Sequence, residues 1–279
     1  MKQFFSCYLD DVVTPGRSLD IFAPETEKFQ EFAIFFVHGG GWSSGSKTCY
    51  HKIMEKFNQH GFFCASTDYR LASPVRKAPG AGITALDQLQ DIREAYDIFV
   101  SFLKDRGALR KIAVFGSSAG AHLASLLGCA APGECGESAV LKNPWIAPVK
   151  LILQSVPVSL EPWEDIFPPI KASIADCACG WSYEENPEIF RKLSMSSYLN
   201  ENNPQCFFME AGNEHMFPGE FSLEVAKQHH LWQIDSIWKK YPSAEHGFFY
   251  DTTRKIQQMA FADMLNFLLD QEVSGTGKL

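Results

Sequence analysis

Between Ile112 and Gly128 the chain reads IAVFGSSAGAHLASLLG: an apolar run, then Gly116, Ser117, Ser118, Ala119 and Gly120, then small residues and leucines. A serine at the centre of G-x-S-x-G, entered from a strand and left through a helix, is held on a sharp turn with its hydroxyl exposed. That suits it to attack a carbonyl carbon. Two serines are adjacent, but only Ser118 has glycine at both −2 and +2. The start of the helix would also aim backbone N–H groups and a positive dipole end at the site. The bland alternative is a Gly/Ser turn capping a helix; the strand before it and the small-residue helix after it favour the nucleophile.

A serine nucleophile needs a base, and the chain has eight histidines. His51, His60, His229 and His230 fall in expected helices or at their ends and are read as solvated. His122, one turn after Ser118, suits packing or a local bond, and His38 braces the glycines that follow it. His246, in YPSAEHGFFYD, stands between the last expected strand and the last helix and is the candidate base. In the chain order Ser, acid, His that accompanies this serine turn, the acid belongs after the strand QCFFMEAG. There MEAGNEHMFPGE offers Glu210, Glu214 and Glu220. Glu210 is still within the strand and Glu220 lies beyond the proline, which leaves Glu214 to accept the Nδ1–H of His246 and fix its tautomer.

Attack on a carbonyl puts negative charge on its oxygen, which calls for preorganised donors. IFFVHGGGWSSGS, from Ile34 to Ser46, places three glycines directly after an apolar strand. Gly40 and Gly41 are the expected donors with the N–H of Ala119, and Gly39 gives clearance. A phosphate loop is the competing reading, but GGGWSSGSK lacks the G-x-x-x-x-G-K-[ST] spacing.

The elements that must position these residues alternate between short β-rich runs and longer segments of helical period, the pattern of an α/β fold with a largely parallel sheet. Eight strands are expected, in FFSCYL, SLDIFA, FAIFFVH, FFCASTDY, KIAVFGS, KLILQSVPV, QCFFMEAG and DSIWKKYP. The first two have no room for a helix between them, so the sheet should begin antiparallel. Leu86, Leu89, Ile92, Tyr96, Phe99 and Leu103 stripe one helix, and Ile256, Met259, Ala260, Leu265 and Leu268 stripe another over about 252–269. The stretch 159–204, rich in Pro, Trp and Ser, is too long for a plain connection. It is expected to be a cap-like insertion of short helices over one end of the sheet, with Trp42, Trp163, Phe167 and Trp181 as candidates for lining a substrate pocket. Core packing is the alternative for each of these aromatics.

The 279 residues fit one domain near the upper size for a single core, and 46% apolar content is ordinary for a globular chain. No run approaches the roughly 18 to 20 apolar residues of a membrane span. The N-terminus, MKQFFSCYLDD, turns acidic too early for a signal peptide, so a cytoplasmic protein is expected. A net charge of −8 without a Lys/Arg block excludes a nucleic-acid footprint. Eight scattered cysteines suggest reduced thiols, and the C-x-C of Cys177 and Cys179 has no second pair to complete a metal site.

Taken together, HGGGW, DYRLAS, GSSAGAHLAS, GNEHMFP and HGF resemble the α/β-hydrolase fold, specifically the hormone-sensitive-lipase-like and acetyl-xylan-esterase-like carboxylesterases, over roughly residue 32 to the C-terminus. The resemblance implies a mostly parallel eight-stranded sheet flanked by helices. It also implies a serine esterase of short, acetyl-type acyl groups, with small-molecule ester substrates that include acylated carbohydrate and with no metal or organic cofactor. Asp68, Tyr69 and Arg70 would be scaffold. The family's acid is usually an Asp about four residues before a proline; Glu214 stands there before Pro218, and the residue type departs from the pattern. An arylformamidase or a feruloyl esterase would use the same apparatus. A hydrolase-like binding protein would have lost the histidine that His246 supplies. Pairing through a sheet edge or the C-terminal helix would give a homodimer.

Overall fold

A computed structural model of the chain describes residues 3–10, 13–25, 29–75 and 78–276. All eight expected strands form, as β1 (Gln3–Tyr8), β2 (Ser18–Ala23), β3 (Phe32–Val37), β4 (Cys64–Thr67), β5 (Lys111–Ser117), β6 (Lys150–Gln154), β7 (Gln205–Asn213) and β8 (Ile237–Glu245). They make one sheet in the order β1-β2-β4-β3-β5-β6-β7-β8. β2 is antiparallel to both β1 and β4, and the pairs from β4 onward are parallel. The antiparallel start follows from the short β1–β2 connection, since parallel neighbours need a crossover.

The crossovers are helical. α1 (His51–Gln59) joins β3 to β4, α2 (Ala85–Asp105) joins β4 to β5, and α3 (Ala119–Cys129) leaves β5. Between β6 and β7 lie α4 (Pro168–Ser173), a π-type turn over Ile174–Cys179, α5 (Pro187–Lys192) and a tight turn over Met195–Tyr198. α6 (Gly219–Leu231) then precedes β8, and α7 (Lys255–Leu268) follows it.

Strands covered on both faces are buried at every position, which is why they read as unbroken apolar runs. Alternation still divides them. Ala33, Phe35 and Val37 of β3 pack with α2 and α3, whereas Phe32, Ile34 and Phe36 pack with α1 and α7. The expected stripe on α2 faces the sheet, with Leu89, Ile92, Tyr96, Phe99 and Leu103 in the core. On α7 the stripe needs correcting: Met259 is 39% exposed, and Met264 and Phe267 take the core positions beside Ala260 and Leu268. A fully buried ion pair, Arg93 with Glu137, braces the far end of α3, where Arg93 also donates to the carbonyls of Leu126 and Ala130. Among the described residues, no helix is long and apolar enough to cross a membrane.

Candidate active site

β5 ends at Ser117 and α3 begins at Ala119, so the turn between them is Ser118 alone. Its backbone sits at φ 54 and ψ −123, a conformation that costs a non-glycine residue about 1–3 kcal/mol. Two backbone bonds hold it there. The N–H of Ser118 donates to the Gln154 carbonyl at 2.8 Å, and the N–H of His122 donates to the Ser118 carbonyl at 3.0 Å. The flanking glycines are required by contact. A Cβ on Gly116 would lie 2.3 Å from the Gly120 carbonyl oxygen, and one on Gly120 would lie 2.3 Å from the carbonyl oxygens of Val37 and His38. β3, β5 and α3 therefore meet backbone to backbone beneath the serine.

The residues expected as acid and base come from neighbouring strand ends. Asn213 pairs with Glu245 across β7 and β8, and its side-chain amide donates to Glu245 Oε1 at 2.9 Å. The next residue on each strand is Glu214 and His246, so the register delivers them side by side. A bulge just before re-aims the strands: the pairing shifts between Ala211 and Asn213, Ser243 has φ 61, and a Cβ on Gly212 would come within 2.7 Å of Ser243 N.

His246 Nδ1–H donates to Glu214 Oε2 at 2.7 Å, with the side chains 13% and 7% exposed. The other carboxylate oxygen accepts the backbone N–H groups of Met216 at 2.8 Å and His215 at 3.0 Å. Burial pushes the Glu214 carboxyl up. The His246 bond and charge and the Met216 N–H outweigh it and hold the pKa below the ordinary value, so the group is a carboxylate. Glu210, earlier on β7, is the opposite case. It is 3% exposed, with the Ser222 hydroxyl at 2.6 Å and the more distant Lys240 charge to support a carboxylate. Burial, helped by the nearby Glu214 charge, pushes its pKa to about 8.

The glycine loop is organised through its carbonyls. Gly39 O accepts the Nδ1–H of His38 at 2.8 Å. Gly40 O accepts Ser43 N at 3.2 Å, Ser44 N at 3.0 Å and Ser44 Oγ at 2.8 Å. The C=O and N–H of a trans peptide point in opposite directions. Fixing these two carbonyls therefore turns the N–H groups of Gly40 and Gly41 away from the turn. His38 is itself fixed, stacked on Tyr69 at 4.2 Å, whose hydroxyl donates to the His38 carbonyl at 2.7 Å. Gly40 and Gly41 have φ of 124° and 57°. Ser173, from α4, donates to Gly41 O at 3.2 Å. Ala119 is the first residue of α3, so its N–H has no intrahelical acceptor.

Ser118, His246, Gly39, Gly40 and Gly41 line one cavity of about 600 Å³. Among the described residues no hydrogen bond joins Ser118 Oγ to His246, and catalytic contacts of this kind often tighten only on the substrate complex. Of the four aromatics expected at the pocket, Trp42 lines it but is 1% exposed and gives its indole N–H to His122 Nδ1 at 3.2 Å. The other three lie elsewhere. Trp163 packs behind the wall against Phe217 and Phe221, Phe167 is 48% exposed to solvent, and Trp181 lies under Gly80. The apolar wall is formed instead by Pro169, Ile170, Met216, Phe217 and Tyr250. Met216 and Phe217 stand two and three residues after Glu214, a proximity that was available in the sequence.

Two further histidines, His122 and His229, are buried and hydrogen-bonded. His122 is buried, donates from Nε2 to the Leu193 carbonyl at 2.6 Å, and has its pKa pushed to about 4 by burial. His229, expected to be solvated, is fully buried at 0% exposure against Ser236, and burial lowers its pKa to about 4. Asp68, Tyr69 and Arg70 are tied into the frame, Arg70 through the buried Asp91. All eight cysteines are free. Among the described residues, no group of three or more His, Cys, Asp or Glu side chains is placed to hold a metal ion.

Residues 19–228 match the family described as BD-FAE. Esterase LipC of Mycobacterium tuberculosis (strain ATCC 25618 / H37Rv) is 25% identical over 248 residues, covering 86% of this chain and 58% of LipC. This chain thus spans little more than half of that relative. Among solved structures, Esterase B from Lactobacillus rhamnosis superposes with a TM-score of 0.76 at 18% identity, covering 96% of this chain and 85% of that one. The butyrate-bound esterase 2 of Thermogutta terrifontis gives 0.70 at 21% identity, over 93% and 91% of the two chains. Both likenesses establish the α/β-hydrolase fold.

Proposed function

The chain belongs to the BD-FAE family, and we propose that it is a serine carboxylesterase hydrolysing short-chain acyl esters through Ser118, His246 and Glu214. The observation that carries this reading is the 2.7 Å bond between His246 Nδ1 and an ionised Glu214, beside a cavity shared with a serine at φ 54. With Nδ1–H committed to Glu214, His246 presents Nε2 as the basic nitrogen. It takes the Ser118 proton as Oγ attacks the ester carbonyl. The N–H groups of Gly40, Gly41 and Ala119 receive the charge on the carbonyl oxygen. The C–O bond to the alcohol breaks, and His246 returns the proton to the leaving oxygen. Water, deprotonated by the same nitrogen, then releases the acid from the acyl-serine.

Two features support a small acyl group. The wall beside the triad is apolar, built from Met216, Phe217 and Ile170, and the T. terrifontis structure that shares the fold holds butyrate. The 159–204 segment acts as the cap: its α4 contributes Pro169, Ile170 and Ser173 to the cavity. The test is to assay wild type and Ser118→Ala on aryl acetate, butyrate and octanoate esters. The wild type turns over acetate and butyrate faster than octanoate, and the alanine variant is silent. A variant that matches the wild type removes Ser118 as the nucleophile.

A further inference from the structure

Gln154 ends β6 and is completely buried, at 0% exposure, yet none of the chemistry above uses its side chain. With its amide oriented by its neighbours, Oε1 accepts the N–H groups of Phe249 at 3.0 Å and Phe248 at 3.1 Å, and Nε2 donates to Ser117 Oγ at 2.9 Å. Its backbone carbonyl accepts the N–H of Ser118 at 2.8 Å. A single residue therefore grips the chain at the nucleophile and again two and three residues beyond the base.

The grip on the second site is closed from the far side. Gln257, 1% exposed on α7, donates to the Phe248 carbonyl at 2.9 Å. Phe248 is thus held by its N–H and by its C=O through two buried glutamines. Between Phe248 and His246 stands only Gly247, at φ 65. Nothing in that glycine's side chain stiffens the link, so the placement of His246 depends on what anchors the residues after it.

We propose that Gln154 is a positioning residue, which sets the His246 loop against the Ser118 turn. This rests on the triad assigned under the proposed function. Replacing the amide with an isostere lacking polar atoms strands two buried N–H groups and frees the loop. A displacement of about 1 Å between base and nucleophile costs on the order of 100-fold in rate. Gln154 does not line the cavity, so the loss belongs in kcat and not in KM.

The experiment compares wild type, Gln154→Leu and Gln154→Glu, the last of which keeps the acceptor for both N–H groups. Each is assayed for kcat and KM on an aryl butyrate, for thermal midpoint, and by proton NMR for the far-downfield Nδ1 proton of His246. Expected are a kcat about 30- to 100-fold lower in Gln154→Leu with KM within threefold, a kcat within about fivefold of wild type in Gln154→Glu, and a downfield proton weakened only in the leucine variant. A folded Gln154→Leu with wild-type kcat and an unchanged Nδ1 proton overturns the proposal. Should Gln154→Leu not fold, hydrogen exchange on the wild type decides: protected Phe248 and Phe249 amides uphold the clamp, and freely exchanging ones overturn it. If the wild type hydrolyses no ester, the esterase reading fails by itself. The Nδ1 proton still reports whether Gln154 positions His246.

Discussion

Gly40 and Gly41 are assigned the same task, but the structure makes their tolerance of a methyl group very different. A Cβ on Gly40 would lie 2.2 Å from the Ser44 carbonyl oxygen and 2.6 Å from its carbon. Real Cβ contacts essentially never fall below 3.0 Å, so the loop must open by about 0.8 Å at a backbone atom that cannot rotate away. The opening breaks the turn in which Gly40 O accepts three donors from Ser43 and Ser44, and it rotates the Gly41 N–H on the same peptide. Gly40 also has φ 124°, outside the regions an L-residue occupies. Gly41→Ala meets only Ser173 Oγ at 3.2 Å, the mobile end of a side chain. Its φ of 57° costs an alanine about 1–2 kcal/mol without aiming the N–H elsewhere. Removing one oxyanion donor costs about 100- to 1,000-fold in kcat. Gly40→Ala should therefore fall by about that factor, and Gly41→Ala by less than about 10-fold. The assay is kcat on aryl butyrate, with circular dichroism and thermal midpoints to confirm folding. Equal losses in the two variants, or a Gly40→Ala enzyme within threefold of wild type, would refute the reasoning.

Glu214→Gln removes the carboxylate that fixes the His246 tautomer, and kcat near neutral pH should fall by about 1,000- to 10,000-fold in steady-state assays, with Glu214→Asp recovering part of it. Glu210 gives a stability signature. Its folded pKa, about 8, is raised above the ordinary 4.5, so the folded chain holds a proton that the unfolded chain releases. That contribution is fully present below 4.5 and is lost as pH rises to about 8. Glu210→Gln should accordingly raise the thermal midpoint more at pH 8.5 than at pH 5, and an equal shift at both contradicts the assignment. Glu214 has the reverse sign: its lowered pKa stabilises the fold above the ordinary 4.5 and is lost as pH falls through the folded value. Glu137→Leu leaves the fully buried Arg93 charge unpaired and should cost about 3–5 kcal/mol in urea denaturation.

The strands were legible because a sheet covered on both faces demands continuous apolar runs, and Phe32–Val37 or Lys111–Ser117 can hardly be read otherwise. The serine turn was equally open, since contacts of 2.3 Å leave no choice but glycine at 116 and 120. Local pattern failed where a residue's surroundings come from distant chain. His229 looks solvated at a helix end until Ser236 folds back onto it. Met259 fits the apolar stripe, but the sheet meets α7 through Met264 and Phe267. The pocket wall draws on Tyr50, Ile170, Phe217 and Tyr250 from four separate segments, and no spacing connects them. Trp163 and Trp181 belong to the segment that caps the cavity, but one packs against Phe217 and Phe221 and the other lies under Gly80. Gln154 carried no signal at all, because its side-chain partners are the Ser117 hydroxyl on another strand and two backbone N–H groups, those of Phe248 and Phe249, in a distant loop.

The central claim, a covalent acyl-serine at position 118, is tested most directly by intact and peptide mass spectrometry after exposure to an aryl alkylphosphonate. The wild type should gain one phosphonyl group on the peptide containing Ser118, lose its esterase activity in step, and be matched by a Ser118→Ala protein that takes up none. An adduct on another residue, or full ester hydrolysis by Ser118→Ala, would contradict it.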